Sequence, residues 1–399
     1  MTYQEYRTPL GSKMVSLTQF DTAHSSPEVL GSAAALDIDG SHLLAGKKVL
    51  FVINLDGGGG VEKMVRILGT AFSAWGAKVE TLALYDKLGS SNFEKLSNLR
   101  SAPGCIARAK PDILVTLQPT SSIVGAATRR FMPGCAIHLV HQSNMPLATH
   151  PLPRRLDWLI GSLGLFPVVI ANSKETEKAF AQYPKTYRNK IVRIEHGISW
   201  QKPRHSRKEV REALGFTDST PLLVTCARLS SQKRIDTVIA AMPMLPDVHF
   251  AIAGDGPHYS ELAAQADTLG IRDRIHFLGH LAPEAIPDLN AAADVFVFPS
   301  YWETFGLAAL EAAMQGTPIV ASCLPVTKEV LTVDGKCAAT FVGDWEPENW
   351  ADMLRFALTH PEVKQAAVEA APRLRSHHSE EGMLKKYIQL IEAELSKKK

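Results

Sequence analysis

The chain has 399 residues, of which 45% are hydrophobic and 21% are charged, and its formal net charge at pH 7 is +2. This composition is typical of a soluble globular protein and excludes a disordered or fibrous chain. The length exceeds what one hydrophobic core usually supports, so two domains are expected. Five scattered cysteines without a CxxC pair favour reduced thiols and argue against a disulfide framework or a zinc site.

The first 46 residues are polar and small, and they lack the basic start and the apolar segment of a signal peptide. We therefore expect residues 1–46 to form a poorly ordered N-terminal extension. The later apolar run 156–171 is too short for a transmembrane helix and contains Asp157 and Pro167, so we expect it in the core. A cytoplasmic location follows as the expectation.

Short runs rich in Val, Ile and Leu alternate with helical patterns, from residues 48–54 to residues 317–322. Such runs are typical of parallel strands that are buried on both faces. A polar, proline-containing stretch near 198–220 separates two series of strands. The prediction is an α/β protein with two Rossmann-like domains that face a central cleft. The predicted domains are residues 47–205, residues 206–379 and a C-terminal helix, 380–399, that crosses back to the first domain.

Charge is distributed unevenly between these halves. Residues 47–205 contain 22 Lys and Arg against 10 Asp and Glu, a balance of +12, whereas residues 206–399 contain 19 against 26, a balance of −7. The basic half predicts contact with something anionic, such as a membrane surface, a phosphorylated substrate or nucleic acid. Solvated lysines are the plainer alternative.

Ligands of doubly wound sheets bind beyond the carboxyl ends of the strands. Gly59 and Gly60, in LDGGGGVEK, follow the first strand and precede a helical pattern, so their backbone could approach an anion. Gly254, in AGDGPH, ends another strand in the same way. For all three glycines a plain tight turn is the alternative interpretation.

Two cations and two carboxylates stand out in the second half. Arg228 and Lys233 lie on one strand-to-helix loop and could clamp a diphosphate, although exposed loop cations are common. In PSYWETFGLAALEAAMQG, Glu303 precedes a predicted helix and Glu311 lies within it. Glu303 is not a favoured N-cap, whereas a carboxylate suits sugar hydroxyls. The amides of Phe305, Gly306 and Leu307 would stand at the helix N-terminus, a natural seat for phosphate.

Six motifs in chain order now indicate a family. GGVEKM, VIANSKETEKAF, ARLSSQKRID, IAGDGP, PSYWETFGLAALEA and MQGTPIVAS resemble the motifs of GT-B retaining glycosyltransferases of the GT4 type, glycosyl transferases group 1. The fifth contains the E-x7-E element of that family. Together the motifs extend over about residues 48–345. The resemblance implies the GT-B fold and a nucleotide-sugar donor.

The resemblance also implies roles for the candidate residues. Arg228 and Lys233 would neutralise the donor diphosphate, with Gly59 and Gly60 approaching it from the first domain. Glu303 would hold the hydroxyls of the donor sugar. The remaining donor contacts implied by the resemblance are Gly254 and the amides of Phe305, Gly306 and Leu307, with Glu311 on the ribose.

Two further residues match the family, each with a reservation. His141, in HLVHQSN, resembles the histidine beside the reacting face of the sugar, and a buried structural histidine is its alternative. Glu329, in PVTKEVL, matches a glutamate near the donor, although Pro325 and Val326 replace the usual glycines before it.

The chain departs from the family pattern at several positions. His196 and Ser199 stand where the hinge motif has asparagine and aspartate, and Ala227 replaces the glycine before the candidate arginine. Arg234 replaces the glycine after the candidate lysine, so an extra cation lies beside the site. None of these changes removes a proposed charged catalytic group.

The predicted function is a retaining, metal-independent transfer of a hexose from a UDP- or GDP-linked sugar, UDP being preferred, to a glycan or lipid-linked glycan. The resemblance implies no cofactor, no metal and no nucleic acid partner. The basic first domain predicts an anionic membrane partner, with the protein peripheral on the inner face of the membrane. The arginines proposed for this contact are Arg129, Arg130, Arg154 and Arg155. A nicotinamide-dependent oxidoreductase, which would need the absent GxGxxG, and a non-catalytic sugar-nucleotide-binding module are the alternatives.

Overall fold

The computed structural model of the chain describes residues 18–19, 38–55, 59–85 and 92–397. These residues divide into two compact units. The N-terminal unit comprises the described residues up to Ile198 together with those from Glu380 onward, and the C-terminal unit runs from Ser199 to Ser379. The second unit thus begins a few residues before the predicted position 206.

The N-terminal unit contains a seven-stranded sheet of order β1-β3-β2-β4-β5-β6-β7. Its strands are β1 Thr18–Gln19, β2 Lys48–Leu55, β3 Lys78–Tyr85, β4 Ile113–Leu117, β5 Ile137–Gln142, β6 Val168–Ala171 and β7 Ile191–Arg193. Its helices up to β7 are α1 Ser41–Leu44, α2 Gly60–Ala74, α3 Asn92–Ala109, α4 Pro119–Arg129, α5 Pro151–Ser162, α6 Lys174–Ala179 and α7 Lys185–Arg188. Every neighbouring pair is parallel except β1 with β3.

Strand β2 shows why the sheet is covered on both faces. Phe51 packs on Phe72 of α2 with ring centroids 6.2 Å apart. Its neighbours Leu50 and Val52 belong to a buried cluster with Ile106 of α3. Because successive side chains of a strand point to opposite faces, helices cover β2 from both sides. This accounts for its continuous apolar sequence.

The predicted extension is partly wrong. Residues 1–17 and 20–37 lie outside the described part of the chain. Residues 38–46, however, fold onto the N-terminal unit: Leu44 of α1 is fully buried, and the Trp75 indole N–H donates to the Ile38 carbonyl at 3.2 Å. Burial of an apolar side chain such as Leu44 is favourable enough to order the residues around it, even where these residues are polar or small.

The C-terminal unit contains a six-stranded parallel sheet of order β10-β9-β8-β11-β12-β15, and a small hairpin pairs β13 with β14. Its strands are β8 Leu222–Cys226, β9 His249–Ala253, β10 Ile275–Gly279, β11 Val295–Phe298, β12 Ile319–Ser322, β13 Thr332–Val333, β14 Lys336–Cys337 and β15 Ala339–Val342. Its helices are α8 Arg207–Ala213, α9 Ile235–Ala241, α10 Tyr259–Thr268, α11 Ile286–Ala292, α12 Leu307–Met314, α13 Pro325–Leu331, α14 Pro347–Thr359 and α15 Pro361–His377.

The last helix, α16 (Glu380–Ser396), belongs to the N-terminal unit. It buries Met383, Leu384, Tyr387 and Ile391, which recur at helical spacing on one face. Together, the sheets of the two units confirm the predicted α/β class with two Rossmann-like domains.

Within the described ranges, no helix combines the length and the apolar character needed to cross a bilayer.

Asp294 aligns the two central strands of the C-terminal unit. This residue, directly before β11, accepts a hydrogen bond from the Leu222 amide at the start of β8, at 2.8 Å. The same carboxylate pairs with the fully buried Arg211 at 2.6 Å and with Arg207. A buried guanidinium needs such a partner, so the contact holds the β8–β11 pair in one register.

Arg234 has a left-handed backbone conformation of the kind that glycine usually adopts. Its φ of 45° and ψ of 37° are left-handed, between the short 3₁₀ turn Ser231–Lys233 and helix α9. Its guanidinium lies 3.2 Å from the Asp236 carboxylate, donates to the Thr237 hydroxyl at 3.0 Å and lies 5.8 Å from the Trp345 ring centroid. The extra cation is thus held by neighbours on its own unit.

We expect Arg234→Gly to be more stable than Arg234→Ala by about 1 kcal/mol, because the left-handed strain of a Cβ exceeds the entropic cost of glycine. Both variants lose the same side-chain contacts, so their difference reports the backbone alone. Thermal unfolding should show the glycine variant melting about 2–4 °C higher.

Arg355, exposed on helix α14, is the matched control. At an ordinary helical position the order should invert, with alanine more stable than glycine by about 1 kcal/mol. The same order at both positions would contradict the assignment of strain to Arg234.

Candidate active site

The strand order of the C-terminal sheet reverses at β8, which lies between β9 and β11. Ligands of doubly wound sheets bind beyond the carboxyl ends of the strands at such a reversal. The loop after β8 carries Arg228 and Lys233, and the loop after β11 carries Glu303. Residues 70 positions apart in sequence are thereby brought to one crevice.

Lys233 and Glu303 are in direct contact there. The Lys233 Nζ lies 2.5 Å from Glu303 Oε1, and the Lys233 ammonium stands 5.5 Å from the Phe298 ring centroid. Glu303 is only 8% exposed. The short contact orients both side chains.

Backbone contacts join the two loops beside this pair. The Tyr301 amide donates to the Gln232 carbonyl at 2.7 Å, and the Gln232 side-chain amide donates to the Trp302 carbonyl at 2.9 Å. The Ser300 hydroxyl, at the end of β11, is buried with no hydrogen-bond partner among the described residues. Each loop therefore fixes the position of the other.

The GDG turn after β9 supports the arginine loop. Gly254 has a φ of 126°, and a Cβ there would lie 1.9 Å from the Ala227 carbonyl oxygen. A Cβ on Gly256 would lie 2.3 Å from the Leu229 carbonyl oxygen, and the Leu229 amide donates to Asp255. Close packing against the residues that flank Arg228 thus explains both glycines, and a donor contact of Gly254 stays a prediction.

Helix α12 begins where the sequence predicts. Gly306 is its N-cap with a φ of 91°, and a Cβ there would lie 3.2 Å from the Phe298 ring. Phe305 is buried edge-on against His378, with ring centroids 5.5 Å apart. Leu307 is the first helical residue, and Gly316, with a φ of 79°, follows the end of the helix.

Glu311 lies in the second turn of α12 and is half-buried, whereas the residues around it are fully buried. Glu329 is half-buried on α13, which packs against α12. Arg228 is exposed on its loop. The structure therefore places all the predicted donor residues of this unit on loops and helices that follow β8, β9, β11 and β12.

In the N-terminal unit the strand order reverses at β2, between β3 and β4. Gly59 and Gly60 follow β2 at the start of the 15-residue helix α2. The Gly59 amide donates to the Glu62 carboxylate at 2.8 Å. This pair of glycines is exposed at a helix N-terminus, as the sequence predicts.

Gln118, after β4, has an unusual backbone that sequence reasoning did not anticipate. Its φ is 86°, and its side-chain oxygen accepts from the Asn54 amide at 3.0 Å. The Asn54 side chain accepts in turn from the Ser121 amide at 3.0 Å. The Gln118 amide donates to the His141 carbonyl at 3.2 Å. Gln118 is thus strained and hydrogen-bonded to both strands that flank β4, namely β2 and β5. Strained residues held in this way commonly mark a functional site.

His141 is buried at the end of β5, and its Nε2 lies 2.7 Å from the Tyr387 hydroxyl of α16. The two rings stack with centroids 5.7 Å apart. Burial lowers the pKa of His141 to about 4 and raises the pKa of Tyr387. Both groups are therefore neutral at pH 7. Tyr387 was missed, and its only sequence signal is its place on the apolar face of the last helix.

The motif VIANSKETEKAF, which contains Asn172, Ser173 and Thr176, has a structural role in the same unit. The Ser173 hydroxyl caps α6 by accepting from the Thr176 amide at 3.0 Å, and the Thr176 hydroxyl donates to Asn172 at 2.9 Å. The Asn172 amide contacts His196 Nε2 at 3.0 Å. The departure at His196 is thus accommodated inside a buried polar network.

Comparison with known proteins supports this description. The family model for glycosyl transferases group 1 matches residues 206–374. The D-inositol 3-phosphate glycosyltransferase of Mycolicibacterium gilvum is 34% identical over 192 residues, covering 45% of this chain and 42% of that protein. The lipopolysaccharide core biosynthesis mannosyltransferase LpsB of Rhizobium meliloti is 34% identical over 190 residues, covering 45% and 52%. The chain spans about half the length of the curated relatives it matches.

Among solved structures, HepE of Anabaena in complex with UDP and glucose superposes with a TM-score of 0.71 at 20% identity, covering 87% of this chain and 100% of that one. A likeness at this identity establishes the fold, and it confirms the predicted GT-B class. Residues 206–374, most of the C-terminal unit, thus resemble the glycosyl transferases of group 1.

Proposed function

We propose that this protein is a retaining, metal-independent glycosyltransferase that moves a hexose from a nucleoside diphosphate sugar to a glycan or lipid-linked glycan. The observation that carries the proposal is the contact of Lys233 with Glu303 at the reversal of strand order in the C-terminal sheet. A cation for the diphosphate and a carboxylate for sugar hydroxyls meet there within one hydrogen bond.

Charge development determines what these residues do. As the bond between the anomeric carbon and the diphosphate oxygen breaks, negative charge grows on the leaving group and positive charge grows on the sugar. Lys233 and Arg228 would stabilise the diphosphate, and the amides at the start of α12 would add to that field. Because Lys233 is held by Glu303 before the reaction, little reorganisation of this cation is needed at the transition state.

In the retaining course that we propose, the acceptor hydroxyl attacks the anomeric carbon on the same face of the sugar from which the leaving group departs. The new bond joins the acceptor oxygen to that carbon, and the acceptor proton passes to an oxygen of the departing phosphate. Glu303 would hold the sugar hydroxyls during this exchange, and Glu311 would bind the ribose. The family resemblance supports these assignments.

His141 would contribute a neutral hydrogen-bond donor to the donor sugar. If the Tyr387 hydroxyl donates to Nε2, the imidazole proton resides on Nδ1, and that N–H can point to substrate. Tyr387 is then a positioning residue that selects one tautomer. Burial of both rings supports the neutral forms that this arrangement requires.

The proposed donor carries UDP. HepE, whose fold this chain shares, was solved with UDP and glucose, and that likeness supports the preference. The matched relatives include a mannosyltransferase of lipopolysaccharide core, which supports a hydroxyl acceptor on a lipid-linked glycan.

Replacing Glu303 with glutamine, or Lys233 with methionine, should lower turnover of the nucleotide sugar about 10²–10³-fold, because each removes a fixed charge at the reacting group. Release of nucleoside diphosphate measures turnover. The control pair is Lys336 with Glu369, an exposed ion pair at 3.2 Å in the same unit, and Lys336→Met or Glu369→Gln should leave turnover unchanged. Undiminished turnover in the Glu303 and Lys233 variants would rule out the site.

Tyr387→Phe should reduce kcat/KM about tenfold, because loss of one oriented hydrogen bond costs roughly 1.4 kcal/mol. Nitrogen NMR of the His141 ring should show the Nδ1–H tautomer in the wild type and a mixture of tautomers in the variant. Tyr259→Phe, at an exposed ring of the other unit, serves as control. An unchanged His141 tautomer would contradict the positioning role, whatever the rate.

A panel of UDP- and GDP-sugars should separate the donors by thermal stabilisation. A donor present at about 100 times its Kd should stabilise the folded chain by about 2.7 kcal/mol. We expect UDP-sugars to raise the melting temperature, and the Lys233→Met variant to lose most of that shift. Stabilisation by GDP-sugars alone would overturn the UDP assignment, and stabilisation without turnover would make the chain a binding module.

A further inference from the structure

Helix α5 presents an apolar face that nothing in the described chain covers. Leu152, Leu156, Leu159 and Leu163 recur at spacings of three and four residues, and we call them the apolar stripe. Leu152 is 62% exposed and Leu163 is 66% exposed. The expectation that the run 156–171 lies in the core is therefore wrong for most of its first half: among residues 156–165 only Asp157 and Gly161 are buried, whereas most of the part from Phe166 onward is buried.

The opposite face of α5 is locked to the sheet. The Asp157 carboxylate accepts from the Gln142 side chain at 2.8 Å and from the Tyr187 hydroxyl at 3.0 Å, and all three groups are buried. Gly161 packs so closely on Tyr187 that a Cβ would lie 2.1 Å from the ring. Because the helix cannot rotate without breaking these contacts, the stripe is held outward.

Further apolar side chains extend this surface. Leu147, just before the helix, is 89% exposed, and Trp158 on α5 is 44% exposed. Phe131, which follows α4, is 81% exposed, and α4 packs against α5. Large exposed apolar side chains grouped on neighbouring helices are uncommon on a protein surface and usually mark an interaction site.

The charged residues of the segment that contains the stripe are nearly all of one sign. Residues 119–165 contain four arginines, Arg129, Arg130, Arg154 and Arg155, and a single carboxylate, Asp157. That carboxylate is buried on the inner face of the helix. Arg130 and Arg155 are exposed, whereas Arg129 and Arg154 are half-buried. The outer surface thus combines leucines and a tryptophan with at least two arginines, and it is complementary to an apolar phase bordered by negative charge.

We propose that α5 lies in the interface of an anionic membrane, with the apolar stripe among the acyl chains and the arginines at the lipid phosphates. An amphipathic helix of 12 residues lies in the membrane plane in this way, and tryptophan favours the headgroup level. A second copy of the chain is disfavoured, because a two-fold contact would place these arginines against each other. The inference does not depend on the proposed reaction.

The test is flotation of the full chain with vesicles of equal parts phosphatidylglycerol and phosphatidylcholine, and with phosphatidylcholine vesicles alone. We expect binding only to the anionic vesicles, and weaker binding as the salt rises from about 0.1 M to about 1 M. The triple variant Leu152→Ser, Leu159→Ser, Leu163→Ser should bind more than tenfold less. The double variant Arg154→Gln, Arg155→Gln should bind about 25-fold less, at about fivefold for each charge.

Matched controls lie on α3 of the same unit. Leu96 is 54% exposed and Arg100 is exposed, so Leu96→Ser and Arg100→Gln should bind vesicles like the wild type. Circular dichroism verifies that each variant folds. If the serine variant does not fold, the arginine variant still tests the surface, as does a blue shift of the fluorescence that Trp158→Phe abolishes. Equal binding by all variants, or a dimer that the serine variant dissolves, would overturn the proposal.

Discussion

The pairing of β8 with β11 sets the geometry of the C-terminal unit. Asp294 fixes this pair at its start, since one carboxylate binds the Leu222 amide and the buried Arg211 guanidinium. At the other end of the same two strands, the loops that follow β8 and β11 bring Lys233 and Glu303 into contact. A charged pair inside the unit thus aligns the strands, and the alignment creates a second charged pair where a ligand can reach it.

Unusual backbone conformations cluster around the candidate site. Gly254 and Gly306 have positive φ, and a Cβ would in addition meet the Ala227 carbonyl in one case and the Phe298 ring in the other. Arg234 accepts a similar conformation without being glycine, and its side-chain contacts on the same unit offset part of the strain. The loops are therefore shaped by close packing, which holds the charged side chains in fixed positions.

Strand β5 holds two elements of the N-terminal unit to which we assign different roles. Its residue His141 meets Tyr387 of the last helix, and the next residue, Gln142, holds Asp157 of α5. The ring that we place beside the donor sugar and the helix that we place at the membrane are thus fixed to adjacent positions of one buried strand. Both contacts are buried polar interactions, whose geometry is strict because an unpaired group in the core is costly.

The sequence by itself determined the two α/β units, the helix that follows Gly306 and the charged residues at the strand ends, because periodicity, glycine and charge act over a few neighbouring residues. Only the tertiary structure decided which side chains meet: His141 and Tyr387 are 246 positions apart, and no local pattern links them. It also decided that Leu159 is exposed, because an apolar run reads alike in a core and on a surface. Burial depends on which other parts of the chain pack against a segment, and the sequence of the segment alone does not specify those neighbours.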